Sequence, residues 1–80
     1  MKAYILIETL MGKAGTVTNA IGDLRFTEAR LLSADAVTGP FDIVVVVEAA
    51  GLEALVGQVT DRIQRIDGVW RTLTCVAGPN

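Results

Sequence analysis

The run with the most chemical content is Val37-Thr38-Gly39-Pro40-Phe41-Asp42. Gly39 lets a backbone come close to a ligand, Phe41 offers an apolar wall, and Asp42 offers a carboxylate for an ammonium group. The same run also reads as an ordinary turn whose aspartate serves nearby backbone amides; spacing alone favours the turn. Thr72 and Thr74 stand two apart in the last apolar stretch. On a strand both hydroxyls share one face, where they bind a carboxylate or pair across strands. Catalytic chemistry finds little support. The chain has no histidine, which removes the commonest general base and the commonest metal ligand. Its one cysteine, Cys75, has no histidine to activate it and falls by alternation in a core row. Glu8, Asp42 and Glu48 come at strand ends, without a spacing that would tune an acid/base pair. Gly12-Lys13-Ala14-Gly15 precedes a helix but lacks the length and the Lys-Ser/Thr ending of a phosphate loop. No catalytic residue, metal ligand set or cofactor is expected.

These groups must be held by a small scaffold. Eighty residues make one domain, 1–80, and 51% hydrophobic against 20% charged residues argues for a folded chain. Seven basic and nine acidic residues leave a net charge of -2. The basic residues are scattered, so direct nucleic-acid binding is not expected. An apolar run such as residues 43–47 ends at Asp42 and Glu48, far short of the roughly 20 residues of a membrane span. The first apolar stretch stops at Glu8, too early for a signal-peptide core, and one cysteine permits no internal disulfide. A cytoplasmic location is the expectation.

Four strands and two helices follow from the patterning. Residues 2–8 have strand length and composition. Val17, Ala20, Ile21 and Leu24 fall at i, i+3, i+4 and i+7, a helical stripe. Residues 27–37 suit an edge strand, 38–41 are a turn, and 42–48 hold four consecutive valines, the clearest strand. Leu52, Leu55, Val56, Val59, Ile63 and Ile66 form a second stripe, stopped by Asp67-Gly68. Residues 69–76 are the last strand, with Val69, Leu73 and Cys75 expected toward the helices and Trp70, Thr72, Thr74 and Val76 away from them. Residues 77–80 are a tail. The order β-α-β-β-α-β specifies an α+β, ferredoxin-like fold, a four-stranded antiparallel sheet with both helices on one face. Such a sheet should alternate apolar with polar, yet residues 43–47 are apolar on both faces. A second subunit packed sheet against sheet removes the conflict, giving a dimeric αβ-sandwich. Small size points the same way, because ordering 80 residues costs on the order of 120 kcal/mol and a lone core barely offsets it.

The whole chain resembles the effector-binding module of the Lrp/AsnC family, often called the RAM domain. The resemblance rests on residues 2–8, on Val37-Thr38-Gly39-Pro40-Phe41-Asp42 running into the valine strand, on Leu52-Glu53-Ala54-Leu55, and on Ile66-Asp67-Gly68-Val69 followed by Thr72 and Thr74. Family members usually carry an N-terminal helix-turn-helix, so the chain looks like the stand-alone form of the module. The resemblance implies transcription regulation through amino-acid binding, dimers assembling into rings commonly of eight, and co-assembly with full-length family regulators. It implies an amino-acid effector held between neighbouring dimers, with Gly39, Phe41 and Asp42 lining the pocket and Thr72 and Thr74 supplying hydroxyls. The hairpin and the last strand are expected on opposite sheet edges, meeting only between subunits. Pro40 departs from a loop built to bind anions, since it removes one amide donor. Two other readings share the topology or the apolar surface: a small dimeric αβ-barrel monooxygenase or isomerase, and a structural oligomer without a ligand.

Overall fold

The computed structural model describes residues 1–78; Pro79 and Asn80, the end of the expected tail, lie outside the described residues. Strand β1 (Lys2–Thr9) leads through a loop to helix α1 (Ala14–Gly22), then to β2 (Ala29–Ala36) and β3 (Ile43–Ala49). A second helical segment, here α2, runs as Leu52–Ala54, Leu55–Thr60 and Asp61–Gln64, and β4 (Val69–Val76) closes the order. The sheet is antiparallel throughout, in the order β2-β3-β1-β4. This is the ferredoxin-like arrangement that the patterning predicts.

Alternation in β1 and β3 builds the core. Ala3, Ile5 and Ile7 stand opposite Val47, Val45 and Ile43, and all six are fully buried. Val17 and Ile21 of α1 and Leu55, Val59 and Ile63 of α2 seal them from above. Gly68 fixes how the two halves meet. Its φ of +98° suits glycine, and a Cβ there would stand 3.0 Å from both Lys13 Cβ and Val17 Cγ2. Its carbonyl accepts the Leu10 amide at 2.8 Å, tying the β1–α1 loop to the end of α2.

The second helix differs from the unbroken stripe in one respect. Its middle, Leu55–Thr60, is a π-helix. Gly57 and the β-branched Val56, Val59 and Thr60 give this stretch weak α-propensity, so tertiary contacts decide its winding. The buried positions follow a four-residue step, Leu55, Val59 and Ile63, while Leu52 and Val56 stand more than half exposed. Gln58 uses the wider turn to reach the start of β2, accepting the Glu28 amide at 3.4 Å and donating to Thr27 Oγ1 at 3.2 Å.

The structure reverses the expected facing of β4. Thr72, Thr74 and Val76 pair with Ile7, Ile5 and Ala3 and so lie in the helix-side row. Leu73 and Cys75 pair with Leu6 and Tyr4 on the open face, where both are exposed. The cause is a bulge. Thr9 pairs with Val69 and Glu8 with Arg71, so Trp70 has no partner and the side-chain parity shifts by one. Arg71, out of place in a core row, here pairs with Glu8. A second bulge interrupts β2, where Leu31 and Ser33 take consecutive partners on β3 and leave Leu32 unmatched.

The sheet face away from the helices is apolar across three strands. Tyr4 and Leu6, Val44 and Val46, and Leu73 and Cys75 share it. Lys2 lies 5.5 Å from the Tyr4 ring centroid at one end, and the Glu8–Arg71 pair marks the other.

Candidate functional site

The loop between β2 and β3 closes through the Val37 amide, which donates to the Asp42 carbonyl at 2.9 Å. Gly39 and Pro40 are exposed at its tip, and Phe41 and Asp42 are partly buried at its foot. A Cβ at Gly39 would meet nothing within 4 Å, so the glycine leaves open surface. Asp42 is anchored to β1 rather than free. Its amide donates to Ile7 O at 2.8 Å, and its Oδ2 accepts the Thr9 amide at 2.8 Å and Thr9 Oγ1 at 3.3 Å. Thr9 is not among the residues that the sequence singles out; a threonine closing a strand carries no signal that an aspartate 33 residues later will bond to it.

Thr72 and Thr74 are also engaged. Gln64 Nε2 donates to Thr72 Oγ1 at 3.0 Å, and Thr60 and Thr74 share a hydroxyl hydrogen bond of 3.3 Å. These contacts make a polar seam where α2 crosses the edge strand. Thr60 and Gln64 are easily missed because the apolar stripe draws attention to the opposite side of the helix; their i, i+4 spacing is the signal that finds them.

The sheet order is the expected one, with the β2–β3 hairpin and β4 on opposite sides of β1. Asp42 stands beside Ile7 on one side of β1, and Thr72 pairs with Ile7 on the other. Two inter-strand spacings separate them, about 10 Å between backbones. They share an end of the sheet, whereas Gly39 and Phe41 belong to the hairpin beyond it. As residue types they supply a carboxylate, two hydroxyls, an aromatic ring and an open glycine. Within one chain they do not converge: Thr72 and Thr74 lie in the helix-side row against Gln64 and Thr60, and Asp42 is bonded to Thr9. That inventory matches the ends of a zwitterion: an acceptor for an ammonium and donors for a carboxylate.

The remaining carboxylates have structural partners. Glu8 pairs with Arg71. Glu48 Oε1 accepts the Met1 ammonium at 2.8 Å, and that hydrogen bond holds the Glu48 carboxyl below its ordinary value. Among the described residues no group of three or more His, Cys, Asp or Glu side chains is placed to hold a metal ion, and no helix is long and apolar enough to cross a membrane. Cys75, expected in the core, is exposed on the open face.

Residues 2–77 match the family model described as the Lrp/AsnC ligand binding domain. No curated protein matches the chain. Among solved structures, TTHA0845 from Thermus thermophilus is 30% identical, with a TM-score of 0.85 over 99% of this chain and 94% of that one. PHS023 from Pyrococcus horikoshii is 26% identical, with a TM-score of 0.81 over 99% and 90%. AsnC of E. coli, 21% identical, shares the fold with a TM-score of 0.84 over 99% of this chain and 51% of its own.

Proposed function

Because the chain belongs to the Lrp/AsnC ligand-binding domain family, we propose that it is a non-catalytic, oligomeric module that binds an amino acid and serves transcription regulation in the cytoplasm. The family is one of regulatory ligand-binding domains. The observation that carries the oligomer is the apolar face of the sheet, where Leu6, Val44 and Val46 remain only partly covered and Leu73 is half exposed. Two such faces packed together remove that surface from water, which is the favourable term a domain of this size needs. The dimers assemble further, to an octamer by family resemblance, and co-assembly with full-length family regulators gives the module its route to DNA without contacts of its own.

The effector site combines the loop of one subunit with the end of another. Asp42 accepts the effector's ammonium, the amides of Gly39 and Phe41 and the hydroxyls of Thr72 and Thr74 meet its carboxylate, and Phe41 supplies an apolar wall. Each threonine already holds one hydrogen bond to α2, and a hydroxyl has capacity for more. Pro40, with no amide, places the donors on either side of itself.

The test is calorimetric titration with the twenty amino acids, on wild type, Asp42→Ala and Thr72→Val, with oligomer size checked by light scattering. Asp42→Ala should weaken binding by about 1.5–3 kcal/mol, the scale of a hydrogen bond to a charged group, and Thr72→Val by less. Unchanged affinity in Asp42→Ala, with assembly preserved, would place the ammonium elsewhere. No heat with any amino acid would leave the structural oligomer as the better reading.

A further inference from the structure

The open face of the sheet is not electrically uniform along its strands. Residues paired directly across an antiparallel ladder share a face, so the register gives each charge its place. Lys2 pairs with Glu48, and Glu48 with Arg30, so one end of the face is a row of two cations around one carboxylate. At the other end Glu8 pairs with Arg71, and Asp35 stands opposite Val44, which makes two carboxylates and one guanidinium. The apolar band lies between them.

The same polarity repeats within single strands. β1 begins at Lys2 and carries Glu8 near its end. β2 runs parallel to it, two strands away, with Arg30 near its start and Asp35 near its end. Among the described residues the ion pairs are Met1–Glu48, Arg65–Asp61 and Arg71–Glu8, so Lys2, Arg30 and Asp35 have no partner within the chain.

Given the face-to-face pairing proposed above, on which this step rests, the two-fold axis lies between the sheets, either along the strands or across them. An axis along the strands sets like end on like end. It also lays β2 over the partner's β4, with Asp35 against the partner's Leu73. An axis across the strands sets the cation-rich end on the partner's carboxylate-rich end, twice per dimer. Each strand then lies over its own copy, reversed, and apolar band meets apolar band. Lys2 meets the partner's Glu8, and Asp35 meets the partner's Ser33, whose hydroxyl can donate to it. Arg30 stands one row from the partner's Asp35, about 7 Å along the strand, a span that an arginine side chain covers.

We infer that the partner on this face is a second copy stacked with its strands antiparallel, its register set by Lys2 on the partner's Glu8 and Arg30 on the partner's Asp35. Charge pairs at a rim fix register and exclude wrong pairings more than they add affinity. Asp42 is bonded to the Ile7 and Thr9 backbone, so the hairpin stands at the Glu8 end of the sheet. Antiparallel stacking therefore places one hairpin at each end of the dimer. Such a dimer can meet a neighbour at both ends, as a closed ring requires.

The experiment is cross-linking with a short bismaleimide in a Cys75→Ser background, read as a covalent dimer on a denaturing gel. Lys2→Cys/Glu8→Cys should be captured, and Asp35→Cys/Leu73→Cys should not. Sedimentation velocity over a dilution series at low salt then tests the charges. Lys2→Glu should raise the dissociation constant about ten-fold, and Lys2→Glu/Glu8→Lys should return it to within about three-fold of wild type. Capture of the Asp35/Leu73 pair, no capture of the Lys2/Glu8 pair, or no recovery in the charge swap would overturn the orientation and leave the pairing of faces standing. A wild type that is monomeric at micromolar concentration, or a dimer that survives Val46→Asp, would overturn the pairing itself.

Discussion

Consecutive residues of one strand meet opposite fates in this sheet. Val45 faces the helices and is sealed by Leu55, Val59 and Ile63 together with its strand neighbours. Val44 and Val46, chemically identical to it, face away and stay partly open. A half-covered antiparallel sheet normally marks that difference with polar residues on the wet side. Here the residue types do not change across the sheet, only the covering does. The helix face is satisfied by its own chain, whereas the other face is finished only when a partner is added.

Substituting the two sides separately should expose this asymmetry. Val45→Asp would bury an unpartnered carboxylate, costing several kcal/mol, on the order of the whole stability of a small domain. Circular dichroism should show an unfolded chain at every concentration. Val46→Asp should act through assembly instead. The wild-type melting temperature should rise with protein concentration, as mass action requires of a coupled oligomer, and Val46→Asp should abolish that dependence while keeping helical signal. Equal loss of helix in both variants would erase the distinction between the faces.

Gly68→Ala tests the helix side through its backbone. With φ at +98° and the two 3.0 Å contacts, it should cost about 1–3 kcal/mol, read by calorimetry at fixed concentration. Failure to destabilise would mean that α1 moves aside freely. Cys75 tests the open side with less disturbance. Its exposed thiol should react slowly with a disulfide reagent when the protein is concentrated and faster on dilution or in Val46→Asp. A rate indifferent to concentration would leave that face uncovered.

The smallest effect concerns Glu48, at the rim of the open face. Its carboxyl is held below the ordinary 4.5 by the Met1 ammonium. A carboxyl depressed on folding stabilises above its unfolded value and loses that contribution as pH falls through the folded one. Glu48→Gln should therefore lower the melting temperature slightly at neutrality and flatten its fall below about pH 4.5, where variant and wild type converge.

Element order and the central strands are legible because residues 2–8 are rich in Ile, Leu and Tyr and residues 43–47 are an unbroken apolar run of strand length. The helices are legible because Val17 and Ile21, and Leu55, Val59 and Ile63, keep to one side. The facing of β4 is not. Alternation counted from Val69 is correct until Trp70, where one unpaired residue inverts every later assignment, and a bulge of this kind leaves no mark in composition. The π-helical turn is hidden for a related reason: Gly57 weakens the α-helix without saying what replaces it. In the candidate site, the hairpin and the threonines are visible as residue types. Their engagement with Thr9, Thr60 and Gln64 is not, since it depends on contacts between elements far apart in the chain.

The unmatched residues Leu32 and Trp70 sit on β2 and β4, the two outermost strands. A straight outer strand is a template on which further copies add without limit, as in fibrils. An extra residue twists the strand and breaks the run of evenly spaced backbone donors and acceptors. Both margins of this sheet are spoiled in that way, so growth by edge-to-edge strand addition is discouraged. A chain with so much apolar surface can then associate in quantity through its faces and still form closed particles rather than filaments.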